Sequence, residues 1–296
     1  MKQFFALLLC AAAVFGLCAC SKAPAPPPTV QTAPTTTPTT KPTDPPFLPI
    51  SVEDNDSAAF LIIGAEKTDH AGMQLQVQCA NKTDRALMFS WDMVSVCGYM
   101  YDPMWSVEVA AGKVGNSTIS LDTFALEKMG ITSVDVITFT LRIYNSEDWT
   151  EDPIVEKEFT IYPTGLDADT VVFPDRPQAQ GQQVLAENEN LRFVIEKADD
   201  SKPASYRLQV YLENRTDKNL MFSWDLVSVN GKMLDPYWAM AVAAGKKACS
   251  EVVFGRTDLE ANGITDITEV EFTLTVSDYD NWSAENLLKE VYTYKP

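Results

Sequence analysis

The sequence predicts an all-β protein made of two copies of one antiparallel, two-sheet sandwich. Three observations lead there: segments with apolar residues at every second position, turn-forming residues between those segments, and the return of the whole pattern 133 residues later. Met73, Leu75, Val77 and Cys79 alternate with Gln74, Gln76 and Gln78, which is the period of a strand with one buried and one wet face. Asn81 to Gly98 returns as Asn214 to Gly231, and 22 of the 33 positions from Asn81 to Lys113 are identical in the second copy. A gap-free repeat of this length is too long for a solenoid unit and suits a duplicated domain.

Each strand has its counterpart. Phe60–Ile63 pairs in sequence with Phe193–Glu196, and the Met73–Cys79 alternation returns at Tyr206, Leu208, Val210 and Leu212. Leu87–Val96 matches Leu220–Val229, and Trp105–Val109 matches Trp238–Val242. Ile137, Phe139, Leu141 and Ile143 alternate with polar residues, as do Val270, Phe272, Leu274 and Val276; the last pair is Glu156–Ile161 with Lys289–Tyr294. Asn230-Gly231 is a strong hairpin signal because both residues tolerate positive φ, and Cys97-Gly98 is its weaker partner. Leu121–Met129 and Thr257–Asn262 are the helical candidates, each followed by a Gly-Ile pair whose glycine suits a helix end. Six or seven short strands in about 110 residues, with turn signals between them, predict a two-sheet sandwich large enough to hold its own core.

These elements set the boundaries at 48–162 for the first repeat, 163–183 for a Pro-, Asp-, Gly- and Gln-rich linker, and 184–296 for the second repeat. Upstream, Lys2 and the apolar run Phe4–Gly16 read as an export signal over 1–19, too short for a spanning helix. It ends Leu17-Cys-Ala-Cys20, which resembles the lipobox of bacterial lipoproteins. That resemblance implies cleavage before Cys20 and lipidation of its sulfur, hence a protein anchored to the outer face of the cell membrane. Residues 20–47 are rich in Pro, Thr and Ala and hold scarcely any large apolar side chain, so a disordered tether with polyproline II character is expected. At about 3.1 Å per residue such a tether reaches several tens of ångströms, which suits work within or beyond a cell wall.

The Asn-x-Thr-Asp turn, the Phe-Ser-Trp-Asp strand, the Val-x-Gly hairpin, Ala-Ala-Gly-Lys and the late Gly-Ile occur in both repeats. Together they resemble the immunoglobulin-like modules of uncharacterised Gram-positive surface lipoproteins. The resemblance implies an immunoglobulin-like fold and a surface location; its motifs are structural turns, and it carries over no functional residue.

Composition narrows the chemistry. With 41 Asp and Glu against 23 Lys and Arg, the formal charge is −18; this disfavours nucleic acid and anionic wall polymers, whose phosphates need clustered cations. The one histidine, His70, cannot by itself supply a nucleophilic triad or a zinc site. Cys79, Cys97 and Cys249 face Leu212, Asn230 and Asn116 in the other copy, so no disulfide belongs to the repeated module. Cys79 reads as a core thiol, with a Cys79–Cys97 bridge as the alternative. Asp278, Asp280 and Asn281, and the acidic run Glu147 to Asp152, offer oxygen atoms to calcium, but neither matches a defined calcium loop. No catalytic residue, metal site or cofactor is assigned.

Three carboxylate pairs recur. Asp84/Asp217 and Asp102/Asp235 read as turn formers, and Asp92/Asp225, beside tryptophan in a strand, as bulge or backbone-capping residues. The tryptophans also come in pairs. Trp91/Trp224 should be core; Trp105, Trp238, Trp149 and Trp282 are the candidate binding residues, since flat aromatic faces at loop ends stack on sugars or anchor protein partners. The expected function is a lipid-anchored surface binding or adhesion protein that engages a cell-wall glycan or a surface protein, two weak sites on one tether gaining avidity. A structural spacer or accessory component of an envelope complex is the alternative, and a carboxylate-only hydrolase the third reading.

Overall fold

The computed structural model describes residues 47–68, 72–174, 176 and 178–296. The export signal, the lipobox with Cys20, the tether and His70 lie outside the described residues. The described residues are all-β, 53% strand and 5% helix, and residues 46–296 form one compact unit.

The first repeat runs β1 (Ile50–Asp54), β2 (Ala58–Thr68), β3 (Gly72–Asn81), β4 (Leu87–Val96), β5 (Tyr99–Met100), β6 (Ser106–Val109), β7 (Val114–Leu121), α1 (Thr123–Lys128), β8 (Ile137–Asn145) and β9 (Val155–Ile161). The second runs β10 (Gln183–Glu187), β11 (Leu191–Asp199), β12 (Ser205–Asn214), β13 (Leu220–Val229), β14 (Lys232–Met233), β15 (Ala239–Val242), β16 (Lys247–Gly255), α2 (Arg256–Ala261), β17 (Val270–Asp278) and β18 (Leu288–Tyr294). Most bounds recur at an offset of 133, and the others differ by one or two residues at an end. The sequence reading missed β1, β5 and β7 with their counterparts. β10 begins at Gln183, so the second repeat starts one residue before the predicted boundary.

Each repeat has two sheets. In the first, β1-β2-β3-β7 lie side by side, and β5-β4-β8-β9 form the other set, with β6 also on β4. Alternation puts Phe60, Leu75 and Ile119 inward from one set and Trp91, Phe139 and Leu141 inward from the other, all buried in a single core. A ring contact ties the sets together, Phe60 meeting Trp91 at 6.1 Å, and Trp91 stacks on Phe139 of its own set at 3.8 Å. In the second repeat Phe193 meets Trp224 at 6.2 Å, and Trp224 stacks on Phe272 at 3.6 Å. Such pairs add to the burial of large rings.

The turn after β3 is pinned from inside. Asn81 is buried; its Nδ2 donates to Arg85 O (2.7 Å) and Val109 O (2.8 Å), and its Oδ1 accepts from Thr83 N (2.9 Å) and Thr83 Oγ1 (2.7 Å). Asn214 repeats the set with Lys218, Val242 and Thr216. Within the Asn-x-Thr-Asp turn, Asn and Thr therefore make the side-chain hydrogen bonds, and not Asp84 or Asp217. Both aspartates are exposed beside it.

The two repeats are not strung apart. β16 of the second runs parallel to β5 of the first, with Lys247 opposite Tyr99 and Lys247 N donating to Gly98 O at 2.9 Å. This joins β10-β11-β12-β16 and β5-β4-β8-β9, with β6, into one nine-stranded sheet. The junction corrects the purely antiparallel expectation: these edges come from different repeats, so no hairpin dictates their direction. Met100 of β5 crosses into the core of the second repeat. The linker also packs: Arg176 forks onto Glu196 with contacts of 2.7 and 2.8 Å and reaches Cys249 Sγ at 3.1 Å, a bidentate geometry specific to arginine. Cys79, Cys97 and Cys249 are free thiols; Cys79 is a core thiol as expected, and there is no Cys79–Cys97 bridge.

Candidate functional site

A cleft of about 1040 Å³ opens where the first repeat meets the second. Its floor comes from the bulged stretch of β4. Pairing with β8 slips between Asp92 and Ser95, and Met93 takes a left-handed φ of 49°, a conformation costly for a residue with a Cβ. The second repeat keeps the device, with the slip between Asp225 and Ser228 and Leu226 at φ 50°. Asp92 and Asp225 are thus bulge residues, as read from the sequence; Asp225 also accepts from Thr275 Oγ1 at 2.8 Å.

The first repeat departs from its copy on the cleft walls. Arg142, Tyr144, Glu156 and Tyr101 line the cleft, where the second repeat has Thr275, Ser277, Lys289 and Leu234. The Arg142 guanidinium lies 4.9 Å from the Tyr144 ring centroid, in cation–π range, and its Nε is 4.0 Å from Glu156, a long ion pair without a hydrogen bond. Tyr101 accepts at its hydroxyl from Asp122 N at 2.7 Å. Asp92 reaches solvent but stands in a concave site. Desolvation raises its carboxyl above the ordinary range, Arg142 opposes that, and Glu156 and Asp102 reinforce it. From the second repeat, Asn219, Met240, Tyr279 and Asp280 close the far wall.

The six tryptophans separate into two classes. Trp105 and Trp238 are 8% and 7% exposed, which corrects their assignment as binding platforms. Asp102 Oδ1 accepts from Met104 N at 2.7 Å, and Met104 takes φ 50°. That turn sends Met104 outward and Trp105 inward, where its indole donates to Ser117 Oγ of β7 at 3.0 Å. Asp235, Tyr237, Trp238 and Ser250 repeat the arrangement. In the second repeat the aromatic presented to solvent is therefore Tyr237, 94% exposed, and not its neighbour Trp238. Trp105 still contributes an edge to the cleft.

Trp149 and Trp282 are 74% and 70% exposed. Trp282 lies 6.3 Å from Tyr279, which puts it beside the cleft rim. At the position of Tyr279 the first repeat has Ser146, so Trp149 lacks that aromatic neighbour. The loop carrying Trp282 is held by Asp278, whose Oδ1 accepts from Asp280 N (3.0 Å) and Asn281 N (3.1 Å) while Lys218 Nζ sits 2.9 Å from Oδ2. The Lys218 hydrogen bond holds the Asp278 carboxyl below the ordinary range. Asp280 in turn accepts from Asn219 Nδ2 at 3.0 Å, and Glu151 pairs with Arg85 at 2.7 Å. These acidic-loop oxygens thus serve protein donors, and among the described residues no group of three His, Cys, Asp or Glu is arranged to hold a metal ion.

The site residues that sequence reasoning missed are the unpaired ones. Arg142, Tyr144 and Glu156 sit on strands otherwise kept between the repeats, and their departure from the repeat was the available signal. No protein-family model and no curated protein matches the chain. Among solved structures, a deletion mutant and a SENS-to-DSSN mutant of Bacillus subtilis oxalate decarboxylase each align over 84% of this chain and 82% of theirs, at 11% identity and a TM-score of 0.11. A likeness that low carries no argument about fold or activity.

Proposed function

We propose that this protein is a lipid-anchored, extracytoplasmic binding protein whose two repeats are immunoglobulin-like β-sandwiches, similar to modules of Gram-positive surface lipoproteins, and whose cleft takes a carbohydrate segment. The single observation that carries the binding reading is the cleft itself. It is bounded by both repeats and lined by Tyr101, Tyr144 and Tyr279 beside Asp92, Arg142 and Glu156. Rings flanked by planar hydrogen-bonding groups suit sugar faces and hydroxyls, and the volume is that of a small-ligand site. Trp282 at the rim offers a further stacking face. The charge of −18 favours a neutral or cationic polymer over a polyanion.

The location rests on the signal, the lipobox and the Pro/Thr-rich segment; among the described residues no helix is long and apolar enough to cross a membrane. We assign the cleft to binding and not to catalysis. The test is a glycan array that includes peptidoglycan fragments, probed with residues 46–296, followed by recovery of any bound glycan. Hits lost in Tyr144→Ala and Arg142→Ala, with the glycan recovered intact, are expected. Cleaved glycan would replace the binding reading with a carboxylate hydrolase built on Asp92 and Glu156. A second reading, a rigid spacer within an envelope complex, is favoured by the sheet continuous through β5 and β16; a folded protein with no array hit would support it.

A further inference from the structure

We propose that this chain associates head to tail with further copies of itself, through β14 of one molecule and β7 of the next, reusing between molecules the joint that already links its own two repeats. The proposal is independent of what the cleft binds.

The internal joint has a giving and a receiving side. On the giving side, the first repeat offers the short edge strand β5, with Met93 packed against the second repeat's core and Met100 buried within it. On the receiving side, the second repeat offers the edge of β16 and the turn before it: Lys247 N donates to Gly98 O at 2.9 Å, and Ala243 N to Met100 Sδ at 3.4 Å. The join unites a four-stranded set and a five-stranded set into nine strands.

Because the repeats share one fold, each molecule also carries the same two sides unjoined. β7 is the last strand of the four-stranded sheet β1-β2-β3-β7, and β14 is the end strand of the five-stranded sheet β14-β13-β17-β18 with β15. These are the counterparts of β16 and β5. Joined between molecules, they would give a second nine-stranded sheet of the same composition. An open strand edge presents backbone donors and acceptors that pair readily with another chain.

The side chains that the joint needs are present and uncovered. Met100 returns as Met233, 62% exposed where Met100 is 6%, and Met93 returns as Leu226, 75% exposed. On the receiving side Ala243 returns as Ala110, exposed where Ala243 is buried, and Lys247 returns as Val114, 61% exposed. The facing pair changes from Tyr99 with Lys247 to Lys232 with Val114. One apolar surface and one lysine stem are kept with their sides exchanged, so no like charges are opposed. A contact of this kind is heterologous: giving and receiving surfaces differ, and it extends into a row unless geometry closes it. Within the chain, residues 163–183 hold the sides together; between chains the same contact forms without that tether and depends on concentration.

Sedimentation of residues 46–296, a compact unit of their own, tests this from micromolar to millimolar concentration. The expected result is a mass that rises with concentration through dimer to larger species. Met233→Glu and Val114→Glu, both at exposed positions, should each leave a monomer with an unchanged melting temperature; Met233→Lys stands in if Met233→Glu fails to fold. Mixing the two variants is decisive. The intact β14 of Val114→Glu meets the intact β7 of Met233→Glu, giving a one-to-one dimer and nothing larger. A monomer at every concentration, association untouched by either substitution, or a mixture that stays monomeric would each overturn the proposal.

Discussion

Replacing Asn214 with alanine should destabilise the protein far more than any exposed substitution. Asn214 is 2% exposed, and its amide fills five contacts: Nδ2 to Lys218 O (2.7 Å), Val242 O (2.8 Å) and Ala243 O (3.0 Å), and Oδ1 from Thr216 N (3.0 Å) and Thr216 Oγ1 (2.7 Å). Alanine removes all five. Lys218 O and the Thr216 groups lie near the surface and can recover water, and Ala243 O keeps the Lys246 N donor at 3.0 Å, but Val242 is buried and its carbonyl loses the Asn214 donor. A typical net hydrogen bond contributes about 1 kcal/mol, and an orphaned buried group costs roughly 1–3 kcal/mol; the total is about 3–4 kcal/mol. Urea denaturation followed by circular dichroism measures it. Asn81→Ala should cost a similar amount, since Asn81 makes four of the five bonds, and the two losses should add because the sites share no partner. A loss below about 0.5 kcal/mol, the scale of a neutral surface change, would refute the view that this asparagine, and not the following aspartate, pins the turn.

Three further outcomes follow from the same geometry. Burial pushes the Cys79 thiol from its usual 9.0 up to about 12. Its stabilising contribution is therefore complete below pH 9 and is lost as pH rises from there toward 12, since the unfolded thiol ionises first; at pH 8 a thiol reagent should modify Cys79 only after denaturant is added. Gly98 has φ +83°, and an added Cβ would lie 3.1 Å from the Phe173 ring, whereas Gly231 has φ +78° and open space. Gly98→Ala should thus cost more than the roughly 1–2 kcal/mol of left-handed strain expected for Gly231→Ala, as thermal melts of the two variants would show. Trp105→Ala should lose about 3–5 kcal/mol, as for other buried aromatics, while Trp149→Ala should stay within about 0.5 kcal/mol of the parent; similar melting temperatures for both would contradict the burial of Trp105.

How much of this was legible in the sequence depends on how local the cause is. β3 and β8 were readable because Leu75 and Phe139 sit in regular alternation with polar residues and face one core, and β4 because its long apolar stretch returns as Leu220–Val229. β7 was not, because Val114, Asn116 and Thr118 face outward and only Ile119 and Leu121 are buried, so its apolar period is too short to register. The inward turn of Trp105 depends on a positive φ at Met104, and methionine gives no hint of that, unlike glycine. The joint was the least legible feature. Met100 and Met233 occupy matched positions in the two repeats, yet one is buried and the other exposed; Met100 is packed into the core of the other repeat, which is a property of tertiary arrangement. The cleft follows from that joint, so reading functional residues as matched pairs pointed toward the tryptophans and away from Arg142 and Tyr144.

The most direct test of the binding account is the affinity of residues 46–296 for the glycan array, measured for the parent, Tyr144→Ala, Arg142→Ala, Trp282→Ala and Trp149→Ala. The account predicts reproducible glycan hits that vanish with Tyr144 or Arg142, weaken with Trp282 at the rim and persist with Trp149. Hits that survive loss of both Tyr144 and Arg142, or an array without hits from folded protein, would contradict it.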